Sequence, residues 1–326
     1  MSQPSKNVVH VDQTLTNISV AYFQSPALFV AQKVFPSIGV NKATNKYWVL
    51  PRDAQTRDEV QKRAPGAQTA GTDWTLSSDS YDCEVFGLHQ DLTEQVLSNA
   101  DEGTNLFTNT ANILAEKMLI HLERKFVATY FGTSIWGTDM TGVSATPTGD
   151  QFLQWNDDAS DPVTDVKKAN RLMQLKTGRR GNVLTVSREV HDVLTENADV
   201  KTRIQYQGGA PTKITNSHLA ELFEVSEINI LDASYNTAAE GVTANYAWMA
   251  GKGALLTHRP ASPGLMTPSA GYMFEWNGFN GPGVACTRVS RYDMIETRST
   301  RVEIERAYDM KVVGADLGVF FATAVA

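Results

Sequence analysis

The residues of this chain that could do chemistry are six histidines, two cysteines and a scatter of carboxylates. The histidines are His10, His89, His121, His191, His218 and His258. No two stand at the four-residue interval by which helical imidazoles share a zinc ion, and none adjoins a cysteine. Cys83 and Cys286 lie far apart and read as two buried thiols of a reducing compartment, not as a disulfide. Gly251-Lys252-Gly253 lacks both the earlier glycine and the following hydroxyl residue of a phosphate loop. Gly278, Gly281 and Gly283 follow no clear strand and miss the dinucleotide spacing. There is no G-x-S-x-G elbow. Any activity would rest on His191, Asp192 or His258, to which no roles can be assigned. The sequence therefore predicts no catalytic residue, no cofactor and no metal site.

Composition narrows the remaining classes. The chain has 326 residues, 42% hydrophobic and 20% charged, which suits one large folded domain or two ordinary ones. Lys plus Arg number 29 against 36 Asp plus Glu, a net charge of −7, so clustered phosphate contacts are not expected. The N-terminus lacks the pattern of a signal peptide, and no apolar run reaches the ~18 residues of a membrane span. The expectation is a soluble product made in a cytoplasm.

The elements carry more information than the reactive residues. Residues 1–38 mix polar positions with Phe29, Val30, Val34 and Phe35, broken by Pro26 and Pro36. Either this segment packs on its own domain, or it is an arm whose apolar residues, Phe29 and Phe35 among them, meet a neighbour. Residues 46–50 read as a strand, as do 74–76 and 81–88. Between them, from Pro51 to Asp73, Val60 is the sole bulky aliphatic residue, while Arg52, Arg57, Asp58, Glu59, Lys62 and Arg63 are charged. A projecting hairpin with a long polar tip and no core of its own is expected to seek a partner surface. Residues 104–131 form the clearest helix, with Phe107, Ala111, Leu114, Met118, Leu122, Phe126 and Tyr130 on one stripe. Residues 132–161, rich in Gly, Thr, Asp and Pro, read as a linker or long loop. A helix from Pro162 to Thr177 stops at Gly178, before the basic doublet Arg179-Arg180. Strands at 182–186, 227–231 and 246–257 alternate with short helices capped by Ser187 and by Thr215 or Asn216, an α/β unit of its own. From Val284 the chain is β-rich and ends on apolar residues.

In its order of parts the chain resembles the HK97-type major capsid proteins of tailed phages. VFPSIGVNKATNKYWVL at 34–50 is similar to segments leading into the family's E-loop. ETRSTRVEIERAYDMKVVGADLGVFFATAV at 296–325 is similar to its C-terminal strands. The resemblance implies an α+β fold with an N-terminal arm (1–38) and an E-loop hairpin (39–88). It implies a peripheral domain with a long spine helix (89–159), an axial α/β domain (160–285) and peripheral C-terminal strands (286–326).

It further implies a structural subunit that assembles as hexamers and pentamers into an icosahedral shell around double-stranded DNA. Candidate contacts between subunits are Arg52, Arg57, Asp58, Glu59, Lys62, Arg63, Arg179, Arg180, Phe29 and Phe35. Scaffolding, portal and decoration or cement proteins are possible partners, with no membrane. Because only about 38 residues precede the hairpin, a separate scaffolding protein or an already processed chain is expected in place of a fused segment, and Met1 favours the former. Lys62 could serve an E-loop crosslink, but no acid catalyst or target Asn stands near it in sequence. An encapsulin-like compartment of the same fold, and an enzyme in the α/β unit, are the alternatives.

Overall fold

The computed structural model describes residues 24–49, 52, 56–73, 75–100, 105–206, 214–264, 267–280 and 287–326. The first 23 residues, part of the expected arm, lie outside them, as does Cys286. Among the described residues a 3-10 turn (Pro26–Leu28) comes first, followed by a one-turn helix α1 (Ala31–Val34), β1 (Ser37–Val40) and the hairpin strands β2 (Thr44–Val49) and β3 (Ser77–Asp82). β4 (Glu84–Thr93) and the short α2 (Glu94–Ser98) lead to the long helix α3 (Leu106–Tyr130). Then follow β5 (Thr138–Val143), β6 (Gln151–Leu153), α4 (Pro162–Thr177), β7 (Val183–Ser187), α5 (Arg188–Glu196), α6 (Ala198–Tyr206), α7 (Asn216–Leu222) and β8 (Glu227–Leu231). A small hairpin of β9 (Ser234–Asn236) and β10 (Tyr246–Trp248) precedes β11 (Ala254–Thr257), β12 (Gly271–Trp276) and α8 (Asn277–Asn280). The chain closes with β13 (Arg288–Met294), β14 (Ser299–Val312) and β15 (Gly318–Ala322).

Local signals account for the helix ends. The Asn105 side chain accepts the Thr108 N–H at 3.3 Å and starts α3, whose 25 residues span about 37 Å at 1.5 Å each. Leu114, Met118, Leu122, Phe126 and Tyr130 recur every four residues and are buried. Asp161 caps α4, Pro162 takes its first turn, and Gly178 ends it with φ 71°, a left-handed conformation that suits glycine.

Two sheets carry the architecture. The first has the order β1-β12-β14-β13, with β4 along the other edge of β14. Alternation along β14 turns Val302, Ile304, Tyr308 and Met310 into the core, where Leu114, Met118, Leu122 and Phe126 of α3 meet them. The second sheet has the order β6-β5-β15-β11-β7-β8. Its central strands divide their side chains between two cores. Ala254, Leu256, Val319 and Phe321 face the cluster that holds residues of α4, α5, α6 and α7, whereas Leu255 and Phe320 join the cluster under α3. The strict period of two along β11 and β15 therefore joins the two halves of the molecule.

Three expectations change here. Residues 132–161 are not a bare linker, because β5 pairs in parallel with β15 and β6 with β5. Phe152 and Trp155 of that stretch are 1% and 0% exposed. Residues 246–257 are not one interrupted strand: β10 pairs with β9, and β11 enters the six-stranded sheet. The turn around Lys252, whose carbonyl accepts the Ala324 N–H at 2.8 Å, redirects the chain between them. The apolar C-terminal strand joins the six-stranded sheet with the α/β elements, while β12 joins the five-stranded one. The sheets thus mix the sequence ranges expected for the peripheral and axial parts.

Candidate assembly surfaces

The hairpin of β2 and β3 pairs in register from Thr44 opposite Asp82 to Val49 opposite Ser77. Its base is fastened by aromatic stacking: Phe274 of β12 lies 4.6 Å from the Tyr81 ring and 5.5 Å from the Tyr47 ring, centre to centre. The Tyr47 hydroxyl donates to Asp79 at 2.8 Å. The Ser80 backbone N–H and then this hydroxyl hold the Asp79 carboxyl below its ordinary range. Burial pushes the neighbouring Cys83 thiol up to about 12, which leaves it a packing residue with negligible thiolate.

Past this base the tip lies open. Among residues 56–73 there is neither helix nor strand, and none of them enters any of the four buried clusters. Arg57, Asp58, Lys62 and Arg63 are exposed, Glu59 is half-buried, and the Val60 side chain is 93% exposed. Arg63 folds back on the tip and donates to the Ala67 carbonyl. Arg52 instead reaches its own α4, donating to the Leu175 carbonyl at 3.2 Å. A guanidinium there suits the negative end of the helix.

The basic doublet divides. Arg180 pairs with Glu224 at 2.7 Å, and Lys167 joins the same carboxylate at 3.2 Å. These two cations, Arg180 first, lower the Glu224 carboxyl. Arg179 is exposed and forms no ion pair among the described residues. Arg180 is therefore committed within the chain, and Arg179 remains available.

Phe29 and Phe35 do not stand as contacts between subunits. Phe29 is 6% exposed and Phe35 is 0% exposed. The Phe35 ring sits 5.4 Å from Phe126 and 5.0 Å from Tyr130, against the long helix of its own chain. A Cβ on Gly271 would come within 2.5 Å of the Phe35 ring, so glycine alone admits the aromatic there. The physical reason is a pair of carboxylates on α3 that sequence reasoning did not single out. Glu116 accepts the Gln24 backbone N–H at 3.0 Å. Glu123 accepts those of Val30 and Ala31 at 2.9 and 2.8 Å. Segment 24–35 is thereby strapped along the helix. Glu123 is fully buried, and burial raises its carboxyl to about 7 despite the two N–H bonds. The one signal in the sequence was an acid set within the apolar stripe, next to Leu122.

A second unforeseen cluster is the buried ion pair Arg306–Glu275, 2.6 Å apart with both side chains at most 2% exposed. Ser37 donates to the same carboxylate at 2.8 Å. β1, β12 and β14 thus meet at one charge pair.

The histidines fall in separate places. His191 bonds Asn216 at 2.9 Å, His218 completes the cap of α7, and His258 meets the Arg180 carbonyl at 2.8 Å. Asp192 pairs with Arg188 at 2.9 Å. Burial, then Lys125 and Arg124, holds the His121 imidazole low. Burial lifts the Asp165 carboxyl to about 6 while it accepts the Trp155 N–H at 3.1 Å, which is an explanation by packing. Among the described residues no three His, Cys, Asp or Glu side chains group to hold a metal ion. No helix among them is long and apolar enough to cross a membrane.

No family model matches the chain. Its sequence is 24% identical over 318 residues to the major capsid protein of Burkholderia phage BcepMu, covering 94% of each. Its fold matches a phage-related protein from Bordetella bronchiseptica with a TM-score of 0.68, at 18% identity over 92% of this chain and 94% of that one. The capsid of Cyanophage P-SCSP1u matches with a TM-score of 0.61, at 11% identity over 94% and 90%. An encapsulin from Synechococcus elongatus also matches, with a TM-score of 0.53 at 8% identity over 95% and 93%. The chain thus has an α+β fold of the HK97 type, and nearly its whole sequence is similar to that of a phage major capsid protein.

Proposed function

We propose that this chain assembles as hexamers and pentamers into an icosahedral shell enclosing the double-stranded DNA of a tailed phage. The observation that carries this reading is the hairpin tip. Residues 56–73, rich in charge, are exposed except for the half-buried Glu59, and none of them enters a buried cluster of their own chain. In a shell such a tip lies over an adjacent subunit, where Arg57, Asp58, Glu59, Lys62 and Arg63 find partners of opposite charge. The five-stranded sheet with α3 serves as the peripheral part, and the six-stranded sheet with α4 to α7 as the axial part. Many modest contacts repeated by symmetry hold the shell. A net charge of −7 suits a container from which DNA must be released. A portal, and scaffolding and decoration proteins, are the partners this implies, with assembly in the host cytoplasm and no catalysis by the subunit.

Electron microscopy of the purified chain tests the proposal: shells or capsomers are expected, and monomers under every condition would contradict it. The fold likeness to the Synechococcus encapsulin favours a second reading, a protein nanocompartment. Nuclease-protected DNA inside particles from the native source supports the virion, and a protein cargo in its place supports the compartment.

A further inference from the structure

β9 and β10 form a ribbon of three residues a side, with Tyr246 opposite Asn236 and Trp248 opposite Ser234. Two short strands alone are marginal in water and gain from a third. The Ala233 carbonyl accepts the Met249 N–H, and the Thr237 N–H donates to the Asn245 carbonyl. The backbone groups of Ala233, Tyr235 and Thr237 therefore point at β10, and those of Ser234 and Asn236 point away, along the open edge. At Ser234 that edge is already taken. The Gln24 side-chain amide donates to the Ser234 carbonyl at 2.8 Å and accepts its N–H at 3.1 Å. The carboxamide thus stands where the peptide group of a neighbouring strand would stand. One step along, the outward N–H and C=O of Asn236 meet no partner among the described residues. The ribbon's faces are unequal too. Tyr246 and Trp248, on the face shared with Asn236 and Ser234, are 73% and 48% exposed. Tyr235, on the other face, lies under the Arg124 guanidinium of α3, 4.6 Å from its ring centre.

The chain before Gln24 starts within reach of this edge. Glu116 of α3 accepts the Gln24 backbone N–H at 3.0 Å, so Gln24 is held at both its backbone and its side chain. Two residues of extended chain cover about 7 Å, the step from Ser234 to Asn236. On the other side of Ser234, Arg188 engages Asp232 at 3.2 Å, which leaves the Asn236 side open. In sequence, Ile18, Val20 and Tyr22 alternate with Ser19, Ala21 and Phe23, a pattern rich in strand formers. We infer that residues 20–23 add to β9 of their own chain as a third strand, antiparallel, with Tyr22 opposite Asn236. Backbone bonds to Asn236 fix the register, and alternation places Val20 and Tyr22 on the face of Tyr246 and Trp248. The addition closes an edge that would otherwise be open to pairing with another chain. It lengthens the strap along α3, does not depend on the shell reading, and confines any arm that reaches a neighbour to residues before Val20.

The test uses the unassembled full chain carrying Cys286→Ser, in which the remaining Cys83 is buried. Tyr22→Cys is combined with Asn236→Cys, because residues opposite each other in such a pair stand about 5.5 Å apart at Cα, within disulfide reach. A control combines Tyr22→Cys with Val60→Cys on the exposed tip. After mild oxidation, peptide mapping should find the intrachain disulfide in the first pair at about five times or more its level in the control. Equal levels, or disulfides chiefly between chains, overturn the inference, the second outcome placing the segment on a neighbour. Hydrogen exchange at the Asn236 amide guards against misfolding of the cysteine chains. Tyr22→Pro, which removes a strand donor, should speed that exchange about tenfold, and Tyr22→Phe should leave it unchanged. Equal exchange in the Pro and Phe variants, or an Asn236 amide that exchanges as an open one in the unsubstituted chain, overturns it.

Discussion

Replacing Glu123 by Gln should make the subunit's stability less dependent on pH, with a sign and size that follow from its surroundings. The carboxyl is fully buried, accepts two backbone N–H bonds through Oε2, and among the described residues has no hydrogen-bond partner for Oε1. Burial raises it from 4.5 to about 7. An acid raised on folding binds its proton more tightly in the native state. Its contribution to stability is therefore complete below pH 4.5, falls as pH rises through 7, and is level above that. Two and a half pH units at 1.36 kcal/mol each amount to about 3 kcal/mol between those limits. Glutamine keeps an acceptor for the Val30 and Ala31 N–H groups and does not titrate. Urea unfolding of the unassembled subunit from pH 4.5 to 8 gives the measurement. The stability of E123Q relative to the unsubstituted chain should rise by about 3 kcal/mol across that range. A constant difference, or a difference that falls with pH, would refute both the burial argument and the strap it explains.

Three more outcomes follow from the same contacts. Arg306→Met alone leaves Glu275 buried without its cation and should cost about 3–5 kcal/mol in urea unfolding, while adding Glu275→Leu should recover most of that loss. Phe35→Ala should cost about 3–5 kcal/mol of subunit stability by opening a cavity beside Phe126 and Tyr130. If Phe35 met a neighbour instead, isolated subunits would keep their unfolding midpoint and only assembly would suffer. Deleting residues 56–73 should leave that midpoint in place and abolish particles by sedimentation; assembly that survives the deletion contradicts the role given to the tip.

What could be read from the sequence was what short-range chemistry decides. Asp161-Pro162 and Gly178 bound α4, and the four-residue stripe from Leu114 to Tyr130 marks the long helix, because caps and periodicity are local. The hairpin was legible through its lack of apolar residues between Pro51 and Asp73. Long-range pairing was not. β5 hides in a stretch rich in Gly, Thr and Asp, and it is a strand because β15, far along the chain, lies beside it. The C-terminal apolar run announces a docked strand without saying which sheet receives it. Phe29 and Phe35 could face either a neighbour or their own chain until Glu116 and Glu123 tied their segment to α3. A carboxylate that serves a distant backbone leaves no mark in spacing. For the same reason Arg180 and Arg179 looked alike, although Glu224 engages only the first.

If the chain is completed by its neighbours, a cryo-electron microscopy reconstruction of the assembled particle shows it most directly. A closed shell is expected in which residues 56–73 lie over an adjacent subunit, with Arg57, Lys62 and Arg63 against that subunit's surface. A particle in which those residues pack only on their own chain would contradict this reading.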